Sequence, residues 1–234
     1  MKEFVNYAHR GASEYCPENT LVSFYTGIYM QATGIETDVQ KTKDGILVLF
    51  HDDTVTRVTG RQGHICDYTF EQLQQFTLEK NGITDKIVSF EEFLKLFAFR
   101  DITFAIELKQ PFIEKEVAEM IYRYHAENKC VVTSFDFENI KRMREYASEL
   151  EIGYLTGIVD EDVLDRLIAI GGQELCPHSS LITEDNVAKW HAEGLRVRAW
   201  GITDEDIMKK VYDCGADGMT VNFPDKLQEY ISGK

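Results

Sequence analysis

Short apolar runs alternate with segments of helical period along almost the whole chain. Apolar residues in the helical segments recur at i, i+3, i+4 and i+7, as in Leu21, Phe24, Tyr25, Ile28 and Tyr29. Strands that alternate with helices are typical of a parallel sheet with helical crossovers. The runs that predict strands lie at 4–9, 34–39, 102–108, 130–135, 152–157, 173–177, 195–200 and 218–221.

Eight strand–helix repeats in 234 residues predict an α/β fold of the closed (β/α)8 TIM barrel type. An open, doubly wound parallel sheet is the alternative. We find no low-complexity stretch and no Pro/Gly-rich linker, and 44% of the residues are hydrophobic, enough for one large core. We therefore expect residues 1–234 to form a single domain.

One extra apolar run, "ILVLFHDD" at 46–53, follows the second strand after "KTKDG". An Asp-Gly pair between two apolar runs indicates a hairpin, so we expect a β-hairpin extension after strand 2. If Asp44 and Gly45 form a two-residue turn, Asp38 lies directly opposite His51, with Cβ atoms ~5 Å apart. For the stretch 52–88 that interrupts the repeats, we expect loops around a short helix at 69–76.

Reactive groups of (β/α)8 barrels lie at the carboxyl ends of the strands. In this sequence those ends carry histidines, cations, carboxylates and an indole. Residues two apart on a strand share a face, so the acidic and basic residues there lie side by side. The candidates are His9 and Arg10 on strand 1, Glu36 and Asp38 on strand 2, His51 on the hairpin, Glu107 and Lys109 on strand 3, and Trp200 on strand 7.

Three carboxylates at one barrel mouth would repel one another strongly in a medium of low dielectric constant. A proton, the pair Arg10 and Lys109, or a metal ion could neutralise them. Carboxylate oxygens without a thiolate suit a hard cation, Mg²⁺ or Ca²⁺, better than zinc.

The remaining groups suit phosphate chemistry. Two histidines can each transfer a proton near neutral pH, one from the nucleophile and one to the leaving oxygen. Arg10 offers a bidentate fork for phosphate oxygens and Lys109 a point charge, while Trp200 could form an apolar wall for a small carbon fragment. Together with a divalent cation, these residues predict phosphodiester cleavage at the barrel mouth.

The composition of the chain limits which partners the protein can bind and where in the cell we expect it. The net charge of −15 and the pI of about 4.8 argue against a nucleic-acid partner. Five cysteines without a C-x-x-C pair indicate neither a disulfide framework nor a zinc site. The N-terminus lacks a signal-peptide pattern, and no apolar run reaches the ~20 residues that span a bilayer. We expect a cytoplasmic protein without stable membrane insertion, and the sequence indicates no oligomeric state.

Six segments in order resemble the glycerophosphodiester phosphodiesterase family. They are "AHRGASEYCPENTLVSF", "GIETDVQKTKDGILVLFHDDTVTRVTG", "AIELK", "TSFD", "LRVRAWGI" and "CGADGMTVNFPDKL". The resemblance covers nearly the whole chain. It implies a barrel that uses one divalent cation, Mg²⁺ or Ca²⁺, to hydrolyse a small glycerophosphodiester to glycerol 3-phosphate and an alcohol.

The resemblance also implies roles for individual residues. The metal ligands would be Glu36, Asp38 and Glu107, His9 and His51 would be the general acid and base, and Arg10 and Lys109 would hold the phosphate. Which histidine is the base stays open, as does the preferred cation. A phospholipase-type phosphodiesterase acting on an intact lipid, or a catalytically inactive phosphodiester-binding barrel, are the alternative functions.

The sequence departs from the family pattern at two strand ends. The family usually reads Trp-Thr-Val-Asn near the seventh strand, where this chain has "WGIT" (200–203). After the last strand it usually has Thr before Asp or Asn, where this chain has Val221 before Asn222. These changes affect the pocket wall, so the preferred alcohol stays open. We expect no chemistry from the remaining histidines, which are His64, His125, His178 and His191.

Overall fold

The computed structural model describes residues 4–234. Its strands are β1 (Val5–His9), β2 (Gly34–Lys41), β3 (Leu47–Leu49), β4 (Leu78–Lys80), β5 (Ile83–Asp85), β6 (Thr103–Leu108), β7 (Cys130–Ser134), β8 (Glu151–Thr156), β9 (Glu174–Pro177), β10 (Arg196–Ala199) and β11 (Gly218–Val221). Its helices are α1 (Leu21–Tyr29), α2 (Thr56–Thr59), α3 (Phe70–Leu73), α4 (Phe90–Phe97), α5 (Glu114–Arg123), α6 (Phe137–Tyr146), α7 (Glu161–Ala169), α8 (Glu184–Ala192), α9 (Glu205–Asp213) and α10 (Pro224–Ser232).

Eight parallel strands close into a barrel in the order β1, β2, β6, β7, β8, β9, β10, β11. The sheet closes because β1 pairs with both β2 and β11. Helices follow the barrel strands, so the (β/α)8 prediction is confirmed and the open doubly wound sheet is wrong. Each of the eight strands lies within two residues of the apolar run that predicted it.

The core lies between the barrel wall and the surrounding helices. On the β2–β6 side, Phe24 of α1 packs with Phe93 and Phe97 of α4 at ring-centroid distances of 5.0 and 5.9 Å. Phe104 of β6 meets Phe93 edge-on at 5.2 Å. Since outward strand residues make this layer, the inward positions are free to carry polar side chains.

The hairpin after β2 exists, but its predicted register is wrong. Val39 pairs with Leu49 and Lys41 with Leu47, so the backbone opposite Asp38 belongs to Phe50, whose N–H donates to the Asp38 carbonyl at 3.0 Å. The loop has three residues, not two, because the Thr42 N–H bonds the carbonyl of Ile46. Asp38 and His51 are therefore not directly opposite each other.

The side chain of Thr42 explains the longer loop. Its hydroxyl donates to the Asp44 carboxylate at 2.6 Å and accepts from the Ile46 N–H at 3.0 Å. Gly45 adopts the left-handed conformation (φ 83°) that commonly closes three-residue loops. Local side-chain bonds thus outweigh the two-residue preference of Asp-Gly.

The stretch 52–88 forms a small subcore against the hairpin. Thr69 begins α3 with the reciprocal capping bonds to Gln72, but the helix ends at Leu73, short of the predicted 76. The antiparallel pair β4–β5 was not predicted, although its turn is an Asn81-Gly82 pair, the strongest short hairpin signal. The buried residues of this subcore are Val48, Phe50, Val55, Ile65, Leu73, Leu78 and Ile87.

Candidate active site

Three carboxylates meet inside the carboxyl end of the barrel. Glu36 and Asp38 occupy alternate positions of β2, and Asp38 is in register with Glu107 on β6. Each offers a ligand oxygen within 4.8 Å of the others, and all three residues are buried. Strand periodicity and parallel register thus bring together the acidic residues that the sequence singled out.

The positive charge around this cluster does not offset the combined effect of burial and like-charge repulsion. Lys109 Nζ lies 2.8 Å from Glu107 and 3.8 Å from Asp38, and Arg10 Nε lies 3.3 Å from Asp38. Burial and the neighbouring Asp38 charge nevertheless raise the pKa of Glu107 to about 7 and that of Glu36 well above its usual range. The charged forms are therefore unfavourable without a further cation.

A divalent cation fits this donor set. Asp38 Oδ1 is buried and accepts no hydrogen bond from any residue within 4–234. A buried carboxylate oxygen without a partner is costly, and three converging carboxylates are typical ligands of a hard cation. These observations are consistent with a metal centre held by Glu36, Asp38 and Glu107.

Asn19 orients the central carboxylate. Its amide donates to Asp38 Oδ2 at 2.8 Å and accepts from the Thr37 hydroxyl at 2.7 Å. Asn19 has a positive φ of 56°, and the next residue, Thr20, caps α1 by accepting from the Ser23 N–H. The loop conformation before the helix therefore directs the Asn19 side chain into the site.

His9 lies beside the carboxylates at the end of β1. Its Nδ1 is 2.7 Å from Asn222 Oδ1, which also accepts from the Ser13 hydroxyl, and its Nε2 faces Glu36 Oε2 at 3.9 Å. Burial and the Arg10 charge lower the pKa of His9. The bond to Asn222 fixes the ring so that Nε2 points towards the acidic cluster.

His51 is held at the mouth by its neighbours in the loop after β3. Its Nδ1 lies 2.7 Å from Asp52 Oδ1. Gln40, two residues beyond Asp38 on β2, donates its amide to the carbonyls of Phe50 and Asp52 at 2.9 and 2.8 Å. Gln40 thus holds the His51 segment against the strand that carries the carboxylates. The sequence analysis did not identify this role of Gln40.

A series of ion pairs links the loop after His9 to the loop that carries His51. Arg10 donates to Glu18 at 2.9 Å, and Arg57 bonds both Glu18 and Asp52 at 2.6 to 2.9 Å. Arg57 lies on α2 in the irregular stretch after the hairpin. No periodicity marks Arg57 there, so the hydrophobic pattern does not predict this contact.

Aromatic rings occupy the opposite side of the mouth. The Trp200 ring meets Phe135 edge-on at 4.9 Å and His178 at 4.7 Å. His178 follows β9 directly and forms a parallel bridge with Trp200. The structure therefore places Trp200 at the mouth as expected, and adds His178 to the pocket wall.

A cavity of about 600 Å³ lies at the amino ends of the strands, away from these residues. It borders Arg196 and Arg198 of β10, and a charged side chain inside a barrel needs a partner of opposite charge. Glu174 is that partner, with its carboxylate 2.7 Å from Arg198 and 3.7 Å from Arg196, and Glu151 also bonds Arg196. The arginines that border this cavity are therefore paired with carboxylates of β8 and β9, and we assign the cavity no part in the candidate active site.

No helix within residues 4–234 is long and apolar enough to cross a membrane.

Among curated proteins, a glycerophosphodiester phosphodiesterase from Bacillus altitudinis is 32% identical, over 94% of this chain and 95% of the relative. A solved structure from Silicibacter pomeroyi shares the fold, with a TM-score of 0.92 at 23% identity, covering 100% of this chain and 95% of the other.

An Oleispira antarctica phosphodiesterase, solved in complex with the product sn-glycerol-3-phosphate, is 26% identical with a TM-score of 0.88. The alignment covers 97% of this chain and 96% of that structure. A sequence model of the glycerophosphoryl diester phosphodiesterase family matches residues 9–226. The family and enzyme class indicated by the sequence motifs are confirmed. The chain belongs to the glycerophosphoryl diester phosphodiesterase family and is a hydrolase.

Proposed function

We propose that this enzyme hydrolyses glycerophosphodiesters to glycerol 3-phosphate and an alcohol, with a divalent cation and two histidines at the mouth of a single catalytic domain. The observation that carries the proposal is the buried cluster of Glu36, Asp38 and Glu107 within 4.8 Å, flanked by His9 and the His51 segment. The product bound to the Oleispira antarctica relative supports the substrate class.

Glu36, Asp38 and Glu107 would hold the cation, Mg²⁺ or Ca²⁺. When bound, the cation would polarise a phosphoryl oxygen and offset its charge. Lys109 and Arg10 are already drawn to the cluster, and Arg10 Nε is buried without a hydrogen bond within the described chain. That N–H is a free donor for a phosphate oxygen, so the two cations would orient the phosphodiester at the carboxylates.

His9 and His51 would share the proton transfers. Each has its Nδ1 engaged, by Asn222 and by Asp52, so each presents Nε2 for reaction. One takes a proton from the attacking nucleophile and the other gives a proton to the leaving alcohol oxygen. Fixing Nδ1 removes rotational freedom from both rings and thereby positions Nε2.

Release of glycerol 3-phosphate tests the proposal. We expect release from glycerophosphocholine or glycerophosphoethanolamine with Mg²⁺ or Ca²⁺, and none with EDTA. His51→Ala is expected to lower kcat by about a hundredfold, since a positioned proton donor or acceptor contributes at least that much. His125→Ala, which alters an exposed histidine, is the matched control.

No release from either substrate with either ion would contradict the proposed reaction. Choline phosphate instead of glycerol 3-phosphate would place cleavage on the other side of phosphorus. Unchanged turnover in His51→Ala would remove that histidine from the proton transfers.

Asn19→Ala is expected to weaken Mg²⁺ or Ca²⁺ binding about 10- to 100-fold, the usual cost of losing a partner of a metal ligand. The reason is that Asp38 Oδ2 loses the amide donor of Asn19 and the carboxylate can rotate. Isothermal titration calorimetry measures the affinity directly. Asn139→Ala removes a buried asparagine that bonds the Ser134 hydroxyl, and should leave metal affinity unchanged. Equal losses in the two variants would indicate a general effect on the fold.

A further inference from the structure

The eight strand ends divide the barrel mouth into two halves of different chemistry. The ends of β11, β1, β2 and β6 carry the histidine, cations and carboxylates described above. The ends of β7 to β10 lead into the aromatic wall, which we define as Phe135, His178 and Trp200. A phosphodiester also has two ends, and only one of them can occupy the charged half.

The aromatic wall has the shape of an open corner. Phe135 and His178 stand at 88° and 78° to the Trp200 ring. The indole N–H donates to the Thr156 carbonyl at 3.3 Å, which fixes the ring over the end of β8. Rings that meet nearly at right angles leave ring faces accessible to a small group held between them.

Gly201 makes this corner possible. A Cβ at this position would lie 2.6 Å from two atoms of the His178 ring, and the residue has a φ of 76°. Any larger residue would therefore displace the imidazole from Trp200. The glycine stands where the family pattern usually has threonine, so the corner follows from a residue particular to this chain.

Charge is distributed unevenly between the two halves. The loops 135–136, 157–160, 178–183 and 200–204 contain no Lys or Arg, whereas Asp136, Asp160 and Asp204 lie in them. These aspartates cap α6, α7 and α9. Arg10 and Lys109, which attract phosphate, belong to the other half. The mouth thus favours a molecule with an anionic end and a cationic end.

We propose that the aromatic wall binds the alcohol substituent and selects a quaternary ammonium alcohol, such as choline, over a neutral one of the same shape. The inference rests on the proposed hydrolysis of glycerophosphodiesters. An ammonium group over the faces of Trp200 and Phe135 gains cation–π attraction that a neutral isostere does not. The nearby aspartates and the absence of loop cations add a favourable field.

Two substrates separate charge from shape. Glycerophosphocholine is compared with its neutral isostere, glycerophospho-3,3-dimethylbutanol, in which carbon replaces the ammonium nitrogen. We expect kcat/KM to favour the choline ester roughly three- to thirtyfold, the range of a partly desolvated cation–π contact. Trp200→Leu and Gly201→Ala should bring the ratio close to one.

Matched controls lie outside the mouth. Phe99→Leu removes an exposed ring in the segment between α4 and β6, and Gly194→Ala alters a glycine of the same conformation (φ 82°) with open space around it. Both should keep the wild-type ratio. Equal kcat/KM for the two esters in the wild type would overturn the inference while leaving the proposed reaction intact.

A binding measurement decides the inference without turnover. Choline should shift the indole N–H resonance of Trp200 saturably, whereas 3,3-dimethylbutanol should not. Trp190, buried in α8, is the internal control. If neither ester is hydrolysed, the proposed reaction fails, and the presence or absence of this shift still supports or overturns the ammonium site.

Discussion

Glu36→Gln is expected to lower kcat/KM for glycerophosphodiesters at least about a thousandfold and to raise the melting temperature of the metal-free protein. A bound cation contributes several kcal/mol of transition-state stabilisation, and each 1.4 kcal/mol is about tenfold in rate. Glutamine keeps the shape of Glu36 but removes the charge that would attract the cation. The same charge is repelled by Asp38 and Glu107 when no cation offsets it.

The expected rise in melting temperature, opposite in direction to the loss of activity, follows from proton linkage. Burial and nearby carboxylates raise the pKa of Glu36 and bring that of Glu107 to about 7 from 4.5. The folded state therefore binds protons more tightly than the unfolded state at these sites. The metal-free protein should lose stability as the pH rises from 4.5 to about 7. At neutral pH, removing one charge relieves this penalty.

Thermal unfolding in EDTA, with and without added Mg²⁺, measures the stability effect. The cation should raise the melting temperature of the wild type, since a ligand at 100 times its Kd adds about 2.7 kcal/mol, and should have little effect on Glu36→Gln. Glu116→Gln, which alters a surface partner of Lys41, is the matched control. Activity within tenfold of the wild type, or a lower melting temperature in EDTA, would contradict the assignment of Glu36 as a ligand.

The sequence predicts best what depends on strand periodicity. Glu36 and Asp38 share a face because they are two residues apart, and parallel register places Glu107 beside them. His9 and Trp200 follow for the same reason, as residues at the ends of barrel strands. The fold and the positions of most candidate site residues therefore follow from an alternating pattern and one rule about barrels.

Contacts made by loops do not follow from that pattern. The hairpin register differs by one residue from the predicted register because of a side-chain bond inside the loop, at Thr42. Asn19 reaches Asp38 only because the loop residue adopts a positive φ. Arg57 bonds Glu18, which is 39 positions away in the sequence, as well as Asp52. Such contacts depend on local backbone geometry, which residue spacing alone does not specify.

The second large effect concerns stability. Glu174→Leu is expected to lower the free energy of unfolding by about 3–5 kcal/mol, the cost of breaking a buried ion pair by removing one partner. Arg198 is 2% exposed inside the barrel, and its Nε lies 2.7 Å from Glu174. Arg198 also contacts the Tyr7 ring and the Cys176 thiol, but neither carries a carboxylate that could pair with its charge.

The partners of this ion pair should not contribute equally. Arg198→Met leaves Glu174 with Arg196 at 3.7 Å, whereas no second carboxylate within residues 4–234 lies within salt-bridge distance of Arg198. We therefore expect Arg198→Met to cost less than Glu174→Leu. The double variant should recover much of the loss, because an apolar pair of similar volume avoids desolvating either charge.

A double-mutant cycle by urea unfolding measures these differences. The control is Lys209→Ala, which breaks an exposed i,i+4 pair with Glu205. We expect this variant to cost at most about 0.5 kcal/mol. A cost below about 1 kcal/mol for Glu174→Leu would mean that water or the Tyr7 ring solvates the guanidinium adequately. A double variant no more stable than Glu174→Leu would show that Arg198 and Glu174 do not act as a pair. If neither outcome occurs, the buried charges of Arg198 and Glu174 are tolerated because each is the other's partner, so these two residues must change together.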